Sequence, residues 1–144
     1  PGMGKSTTFT HLTKKIKLID PTQWVYKIDL AKSWKELSRI KKCEIPESET
    51  LDYFLEHALK LETEREKLLF KDYQNGGKIV LMLDAFDEIS PNYKGEVITL
   101  IQNFQKQSKN KRVFISTRPN DDILEEISKN LNAKFFYLQP HKEF

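Results

Sequence analysis

The sequence predicts an α/β domain in which a parallel sheet carries helices on both faces. Apolar residues recur with helical and strand spacing in alternation along the 144 residues. One run, residues 79–83, is apolar without a break, as in a parallel strand covered on both sides. Roughly two-thirds of the unfolded surface can be buried at this length, which is enough for a sizeable core. We therefore expect residues 1–144 to belong to one domain.

The chain opens with a turn-prone run that resembles the end of a phosphate-binding P-loop, Pro1-Gly2-Met3-Gly4-Lys5-Ser6-Thr7. Gly2 and Gly4 allow successive N–H groups to turn toward one anion, and the following helix adds its positive end. Lys5 is expected on the β- and γ-phosphates, Ser6 on Mg²⁺ and Thr7 near the α-phosphate. The same residues could also occur by chance in a surface turn before a helix. Other segments of the chain must therefore show whether this is a phosphate-binding loop.

The full P-loop pattern is GxxxxGK[S/T], so its first glycine and the strand that feeds the loop would precede the first residue. The predicted fold is thus a three-layer sheet of the P-loop NTPase type whose first strand is missing.

Composition excludes several other classes of protein. Lys plus Arg number 24 against 21 Asp plus Glu, and this balance is too mild to favour a nucleic-acid surface. The longest apolar run is far too short to span a membrane. The single Cys43 excludes an internal disulfide framework, and because the three histidines stand singly we expect no zinc site. A reducing, cytoplasmic setting is expected.

The first half of the chain predicts a helix, an edge strand and two further helical stretches. The first helix has an apolar face and should end near Asp20-Pro21, and alternating polarity over 24–30 predicts a strand at or near a sheet edge. Ser33 to Glu36 has the pattern of a capping box for a helix that buries Trp34, Leu37 and Ile40. A helical stripe from Leu51 resumes at Leu68, Leu69 and Tyr73 and stops at Asn75-Gly76-Gly77.

The second half predicts three strands separated by helices. The strand at 79–83 is followed by a helix that buries Val97, Leu100, Ile101 and Phe104, and then by a strand at 113–115. A further helix buries Ile123, Leu124, Ile127 and Leu131, with Asp122 and Glu125 spaced as a cap pair. Residues 135–138 predict a fourth strand.

Three carboxylates follow the buried strand at 79–83. Ligands of open parallel sheets bind beyond the carboxyl ends of the strands, which is where Asp84, Asp87 and Glu88 lie. Asp84 is expected to hold Mg²⁺ through water, and Asp87 or Glu88 to orient or deprotonate the attacking water. Phe86 is expected in the core. An acidic helix N-terminus is the alternative explanation of these acids.

The strand at 113–115, which we expect to be buried, ends in Ser116-Thr117-Arg118-Pro119. Arg118 at a strand tip can contact a γ-phosphate through a forked hydrogen bond, and the following proline fixes the chain direction. Pairing of Arg118 with Asp121 or Asp122 at the surface is the alternative.

Together these three segments resemble the NACHT domains of the signal-transduction (STAND) branch of P-loop NTPases. As in that family, a small residue follows the Walker B aspartate Asp84, and the acidic pair Asp87-Glu88 comes slightly later. The resemblance spans most of the chain. It implies that Lys5 and Ser6 bind phosphate and Mg²⁺ and that Asp84 binds Mg²⁺. It also implies that Asp87 and Glu88 lie near the hydrolytic water and that Arg118 contacts the γ-phosphate. An AAA-type remodelling ATPase would carry its catalytic Glu where Ala85 stands.

The resemblance implies slow hydrolysis of ATP, GTP or dATP with Mg²⁺, acting as a conformational switch in a multidomain signalling protein of innate immunity. Its partners would be flanking helical, winged-helix and repeat domains, with oligomerisation on activation. A turnover remodelling ATPase and a scaffold that needs no nucleotide are the alternatives.

In the same family the missing strand would lie between the strand that ends before Arg118 and the strand at 135–138, so those two should stand about 10 Å apart or collapse together. Residues 1–144 alone are therefore expected to bind nucleotide poorly and to aggregate.

Overall fold

A three-stranded parallel sheet organises the chain. The computed structural model describes residues 5–89, 91–107, 112–118 and 120–131, and of residues 5–8 the backbone alone. Within these ranges the sheet has the order β1 (Trp24–Asp29), β2 (Ile79–Asp84), β3 (Val113–Ile115). Asp29 pairs with Asp84, and Leu83 pairs with Ile115, so all three strands end at one border of the sheet, the carboxyl edge.

Six helices surround this sheet in the described residues: α1 (Lys5–Ile19), α2 (Trp34–Lys41), α3 (Thr50–Ala58), α4 (Glu64–Asn75), α5 (Lys94–Gln107) and α6 (Asp121–Asn130). Single 3₁₀ turns occur at Leu30–Ser33, Glu47–Glu49, Phe86–Glu88 and Pro91–Tyr93. The predicted α/β class with a parallel sheet is confirmed. No helix in the described ranges combines the length and apolarity that a bilayer crossing requires.

Helices cover both faces of the sheet, which gives three layers. Successive side chains of a strand point to opposite faces. On one face, Val80 and Met82 pack against Phe9 and Ile16 of α1. On the other, the alternate β2 side chains join the larger core with residues of α2, α3, α5 and α6; these buried β2 residues are Ile79, Leu81 and Leu83.

Helix α1 runs antiparallel to the strands, with its N-terminus toward the carboxyl edge. Its C-terminal end lies at the opposite edge, where Asp20 is 3.9 Å from the ammonium of Lys78, just before β2 begins. Farther back along α1, the Thr13 hydroxyl contacts the Met82 sulfur at 3.5 Å. As predicted, α1 ends just before Asp20 and Pro21, and β1 lies at an edge of the described sheet.

Helix α2 forms where predicted, but its start differs. Within α2, Leu37 is buried and Ile40 is partly buried, whereas Trp34, the first residue of the helix, is 54% exposed. The buried residue at this end is Ser33, which precedes the helix. The predicted capping box is also wrong. The Ser33 hydroxyl donates to the Asp29 carbonyl at 3.1 Å and makes no cap bond to the helix.

The helical stripe predicted from Leu51, and its resumption at Leu68, Leu69 and Tyr73, fall on two separate helices, α3 and α4. The Thr63 side chain caps α4 by accepting a hydrogen bond from the Glu66 N–H at 3.1 Å. Because α4 starts anew at this cap, the face that it buries does not continue the buried face of α3. The buried positions of α4 are Phe70 and Gln74, whereas Leu68 and Leu69 are largely exposed. Helix α4 ends at Asn75, before the glycine pair, as predicted.

The second half follows the prediction closely, with two corrections. Helix α5 buries Val97, Leu100, Ile101 and Phe104, as predicted. Helix α6 is capped by the Asn120 side chain, which accepts from the N–H groups of Asp122 and Ile123, so Asp122 and Glu125 are not its cap pair. The strand β3, expected to be buried, is half-buried along its length. The predicted strand at 135–138, and its spacing from β3, lie outside the described residues.

Candidate functional site

The backbone changes direction sharply where β2 ends. Ala85 adopts a left-handed conformation (φ 66°, ψ 45°), and the 3₁₀ turn Phe86–Glu88 follows it. The Glu88 N–H donates to the Ala85 carbonyl at 3.0 Å, which closes the turn. Phe86 is fully buried, as predicted, and anchors the turn in the core. The acidic side chains on either side of it therefore stay at the carboxyl edge.

Ser116 joins the tip of β3 to the tip of β2. Its N–H donates to the Leu83 carbonyl at 2.9 Å, and its own carbonyl accepts from the Phe86 N–H at 3.0 Å. Its hydroxyl accepts from the Ala85 N–H at 3.0 Å and donates to Oδ1 of Asp84. Both hydrogen-bonding functions of the hydroxyl are used, so Ser116 fixes the turn and the Asp84 carboxylate together.

Lys27 approaches the other oxygen of the same carboxylate. Its Nζ lies 3.6 Å from Oδ2 of Asp84, with the Lys27 side chain 45% exposed and that of Asp84 18% exposed. Lys27 is adjacent to Asp84 because β1 and β2 pair in register, with Lys27 opposite Met82. Sequence reasoning missed Lys27, since alternation along β1 gives its face but not its position relative to β2.

The Asp84 side chain lies on the face of the sheet that α1 covers. Strand alternation places Asp84 with Val80 and Met82, which pack against that helix. Helix α1 extends roughly 12 Å from Thr13 back to Lys5, whereas β2 extends only about 7 Å from Met82 to Asp84. Since Thr13 contacts Met82, the start of α1 lies at the carboxyl edge beyond Asp84.

Arg118 and Asp87 form an ion pair at this edge. Nε of Arg118 lies 3.7 Å from Oδ2 of Asp87, and the arginine side chain is 55% exposed while that of the aspartate is 12% exposed. The alternative partners considered for Arg118, Asp121 and Asp122, are exposed at the start of α6. Glu88, the residue after Asp87, is exposed. The guanidinium is thus held by one carboxylate while most of its surface remains open to solvent.

Part of the predicted phosphate loop lies outside the described residues. Residues 1–4 are not described, and of Lys5, Ser6 and Thr7 only the backbone is, as the first turn of α1. Among the described side chains, the carboxyl edge brings together Asp84 and Ser116 in one contact and Asp87 and Arg118 in another.

The fit of Mg²⁺ to this edge can be judged from the donors. No cluster of three or more His, Cys, Asp or Glu residues suitable for a metal occurs in the described part of the chain. Mg²⁺ usually takes one or two protein carboxylates and completes its shell with water and phosphate oxygens. One oxygen of the Asp84 carboxylate is hydrogen-bonded to the Ser116 hydroxyl, and the other lies 3.6 Å from the Lys27 ammonium. The negative charge of Asp84 is therefore already paired with a positive charge. A single hard carboxylate here fits a cation that arrives with a phosphate ligand.

A separate surface hollow of about 360 Å³ lies at the connection between α3 and α4, and its lining includes Glu56, Lys60 and Lys67. None of the residues that line it belongs to the carboxyl edge. Two of its charged residues, Lys67 and Glu56, form an ion pair at 3.3 Å. We assign it no role.

No protein-family model, no curated protein and no solved structure matches this chain. The site's own geometry is therefore what supports a function.

Proposed function

We propose that this chain binds a nucleoside triphosphate with Mg²⁺ at the carboxyl edge and hydrolyses it slowly, as the switch of a NACHT-type signalling protein. One observation carries the proposal: Asp84 lies on the same face and at the same edge as the N-terminus of α1, which begins at Lys5. A helix N-terminus favours phosphate through its unpaired N–H groups and dipole. The neighbouring Asp84 carboxylate would favour binding of the Mg²⁺ that accompanies the phosphate.

The arrangement of helices around the sheet also supports the proposal. The chain passes from β1 through β2 to β3 in one direction across the sheet, with α2, α3 and α5 packed in the larger core on one face. Helix α1 packs on the other face. Because parallel crossovers are right-handed, a helix on that face connects strands in the opposite direction. A strand leading into α1 would then lie beside β3, where the P-loop strand of this fold is expected.

The proposed roles divide among side chains that lie near one another. Lys5 and Ser6 would hold phosphate and Mg²⁺, and Asp84 would hold Mg²⁺. The cation, when bound, would neutralise charge on the phosphate oxygens. Arg118 would exchange its contact with Asp87 for a γ-phosphate oxygen, and Asp87 and Glu88 would orient the attacking water.

A switch follows from this division of roles. The contact of Arg118 with a third phosphate exists only while a triphosphate is bound, so hydrolysis would change the preferred arrangement of attached domains. We propose a cytoplasmic setting and helical, winged-helix and repeat domains as partners. The base, whether of ATP, GTP or dATP, is left open because no described residue is positioned to read it.

The proposal is tested by calorimetric titration of ATP, with and without Mg²⁺, into the full natural polypeptide that contains these residues. We expect Lys5→Ala to abolish binding, because the loop loses its charge on the β- and γ-phosphates. Glu88→Gln should retain binding and slow hydrolysis, whereas Glu125→Gln, an equally exposed change on α6, should alter neither. Binding that survives Lys5→Ala unchanged would contradict the proposal and favour the nucleotide-independent scaffold.

Hydrolysis rates separate the switch from a turnover ATPase. A switch predicts slow steady-state hydrolysis with product retained between turnovers, whereas many turnovers per second with release on the same timescale would support remodelling work. If Asp87→Asn rather than Glu88→Gln carries the hydrolysis defect, Asp87 orients the water.

A further inference from the structure

Lys27 has a position that the proposed function does not explain. It reaches across from β1 to within 3.6 Å of Asp84 Oδ2 and lies on the face that α1 covers, as does Val25 two residues before it. A lysine is costly to place beside the carboxylate that is to hold a cation, because the two cations then compete for one oxygen. Nothing in the predicted phosphate site requires a positive charge at this place.

The second oxygen of Asp84 gives this competition a fixed geometry. Oδ1 accepts from the Ser116 hydroxyl, and that hydroxyl is itself held by the Ala85 N–H at 3.0 Å. The carboxylate therefore cannot rotate without breaking its hydrogen bond to Ser116. Oδ2 is the oxygen left for a cation, and it is the one that faces Lys27.

We propose that Lys27 is a counter-ion of Asp84 that has to leave Oδ2 when Mg²⁺ and the triphosphate bind. This inference rests on the proposed function. Without ligand the ammonium offsets the charge of a carboxylate that is largely buried. When Asp84 holds Mg²⁺, repulsion between the two cations would turn the flexible lysine outward, which its half-exposed side chain allows. Lys27 thereby raises the Mg²⁺ concentration at which the site fills.

Lys32 supplies a matched control. It pairs with Asp29, the residue opposite Asp84 in the β1–β2 register, at 3.9 Å, and its side chain is 86% exposed. Lys27→Met and Lys32→Met therefore remove the same charge from the same edge of the sheet. They differ in whether the lysine faces the Asp84 carboxylate.

The test is a Mg²⁺ titration of the binding of a fluorescent, non-hydrolysable ATP analogue to the full natural polypeptide. We expect Lys27→Met to lower the Mg²⁺ concentration at half-maximal binding roughly three- to fivefold, as for removal of a partly screened ion pair. Lys32→Met should leave it unchanged, and Lys27→Arg, which keeps the charge, should restore the wild-type midpoint. Lys27→Gln serves as a second neutral variant if Lys27→Met folds poorly.

The outcomes separate this inference from the function on which it rests. Wild-type protein that shows no Mg²⁺-dependent binding overturns both. A normal wild-type titration with an unshifted Lys27→Met midpoint overturns the counter-ion role alone. Weaker binding of the Mg²⁺-free analogue to Lys27→Met also overturns it, because Lys27 would then be a phosphate contact.

Discussion

Replacing Ser116 with alanine should destabilise the protein by about 2 kcal/mol. The hydroxyl makes two hydrogen bonds, one donated to the Asp84 carboxylate and one accepted from the Ala85 N–H. A bond to a charged group contributes about 1.5–3 kcal/mol and a neutral bond about 0.5–1.5 kcal/mol. Asp84 and Ser116 are partly accessible, so water replaces part of this loss, and the expected effect is nearer the lower sum.

Equilibrium unfolding in urea measures this loss. With a slope of about 2 kcal/mol per molar, the midpoint for Ser116→Ala should fall by about 1 M while the slope stays unchanged. Thr117→Val is the matched control. The Thr117 hydroxyl donates only to the adjacent Arg118 carbonyl at 3.2 Å, so its loss should cost less than about 0.5 kcal/mol.

A change below about 0.5 kcal/mol for Ser116→Ala would refute the reasoning, because the hydroxyl would then not link the two strand tips. A large effect of Thr117→Val would also count against it. The loss at Ser116 would in that case reflect general sensitivity of the strand end rather than the bonds to Asp84 and Ala85.

Two further predictions concern stability away from the site. Gln74 is fully buried, and neither the nitrogen nor the oxygen of its side-chain amide has a hydrogen-bond partner in the described residues. Gln74→Met, of similar length, should therefore raise the free energy of unfolding by about 1–2 kcal/mol. Urea unfolding measures this change, and a decrease would mean that the amide is hydrogen-bonded. Hydrogen bonds from the Thr22 hydroxyl and N–H, then from the Gln23 side chain, lower the pKa of Asp20 from 3.8 to about 2. Because the folded pKa is the lower one, this stabilisation is present above about pH 4 and is lost as pH falls through 2. Asp20→Asn should thus lower the Tm at pH 7 and have a shrinking effect below pH 3; an effect equal at both pH values would contradict the role of the charge.

The elements that the sequence predicted best are those whose pattern does not depend on tertiary pairing. The unbroken apolar run at 79–83 and the acids after it identified the buried central strand and its tip, because continuous burial needs continuous apolarity. Helix α5 likewise shows its buried face directly in its spacing.

Features that depend on register or on rotational phase were missed. Lys27 meets Asp84 only because β1 and β2 align as they do, and no residue pattern encodes that alignment. Trp34 and Leu68 looked apolar enough to be buried. The buried residues near them are instead Ser33, just before α2, and Gln74 of α4, two polar residues that hydrophobic periodicity cannot select.

The pairing of Arg118 with Asp87 could also not be read from the sequence. Asp121 and Asp122 are closer along the chain, but the left-handed turn at Ala85 brings Asp87 toward the tip of β3. A positive φ at a non-glycine residue has no reliable sequence signal. The two strand tips were thus predicted to converge, whereas their mutual contacts were not.

The position of the bound cation tests the central claim most directly. Mn²⁺ replaces Mg²⁺ in an ATP complex of the isotope-labelled full polypeptide, and its paramagnetism broadens nearby amide resonances with a steep dependence on distance. The account predicts broadening at 84–88, at 116–118 and in the first turn of α1. It predicts little effect at Gly77 and Lys78, roughly 20 Å or more from Asp84 at the opposite edge of the sheet. Broadening centred on that opposite edge or on the α3–α4 connection, or no ATP-dependent broadening at all, would contradict it.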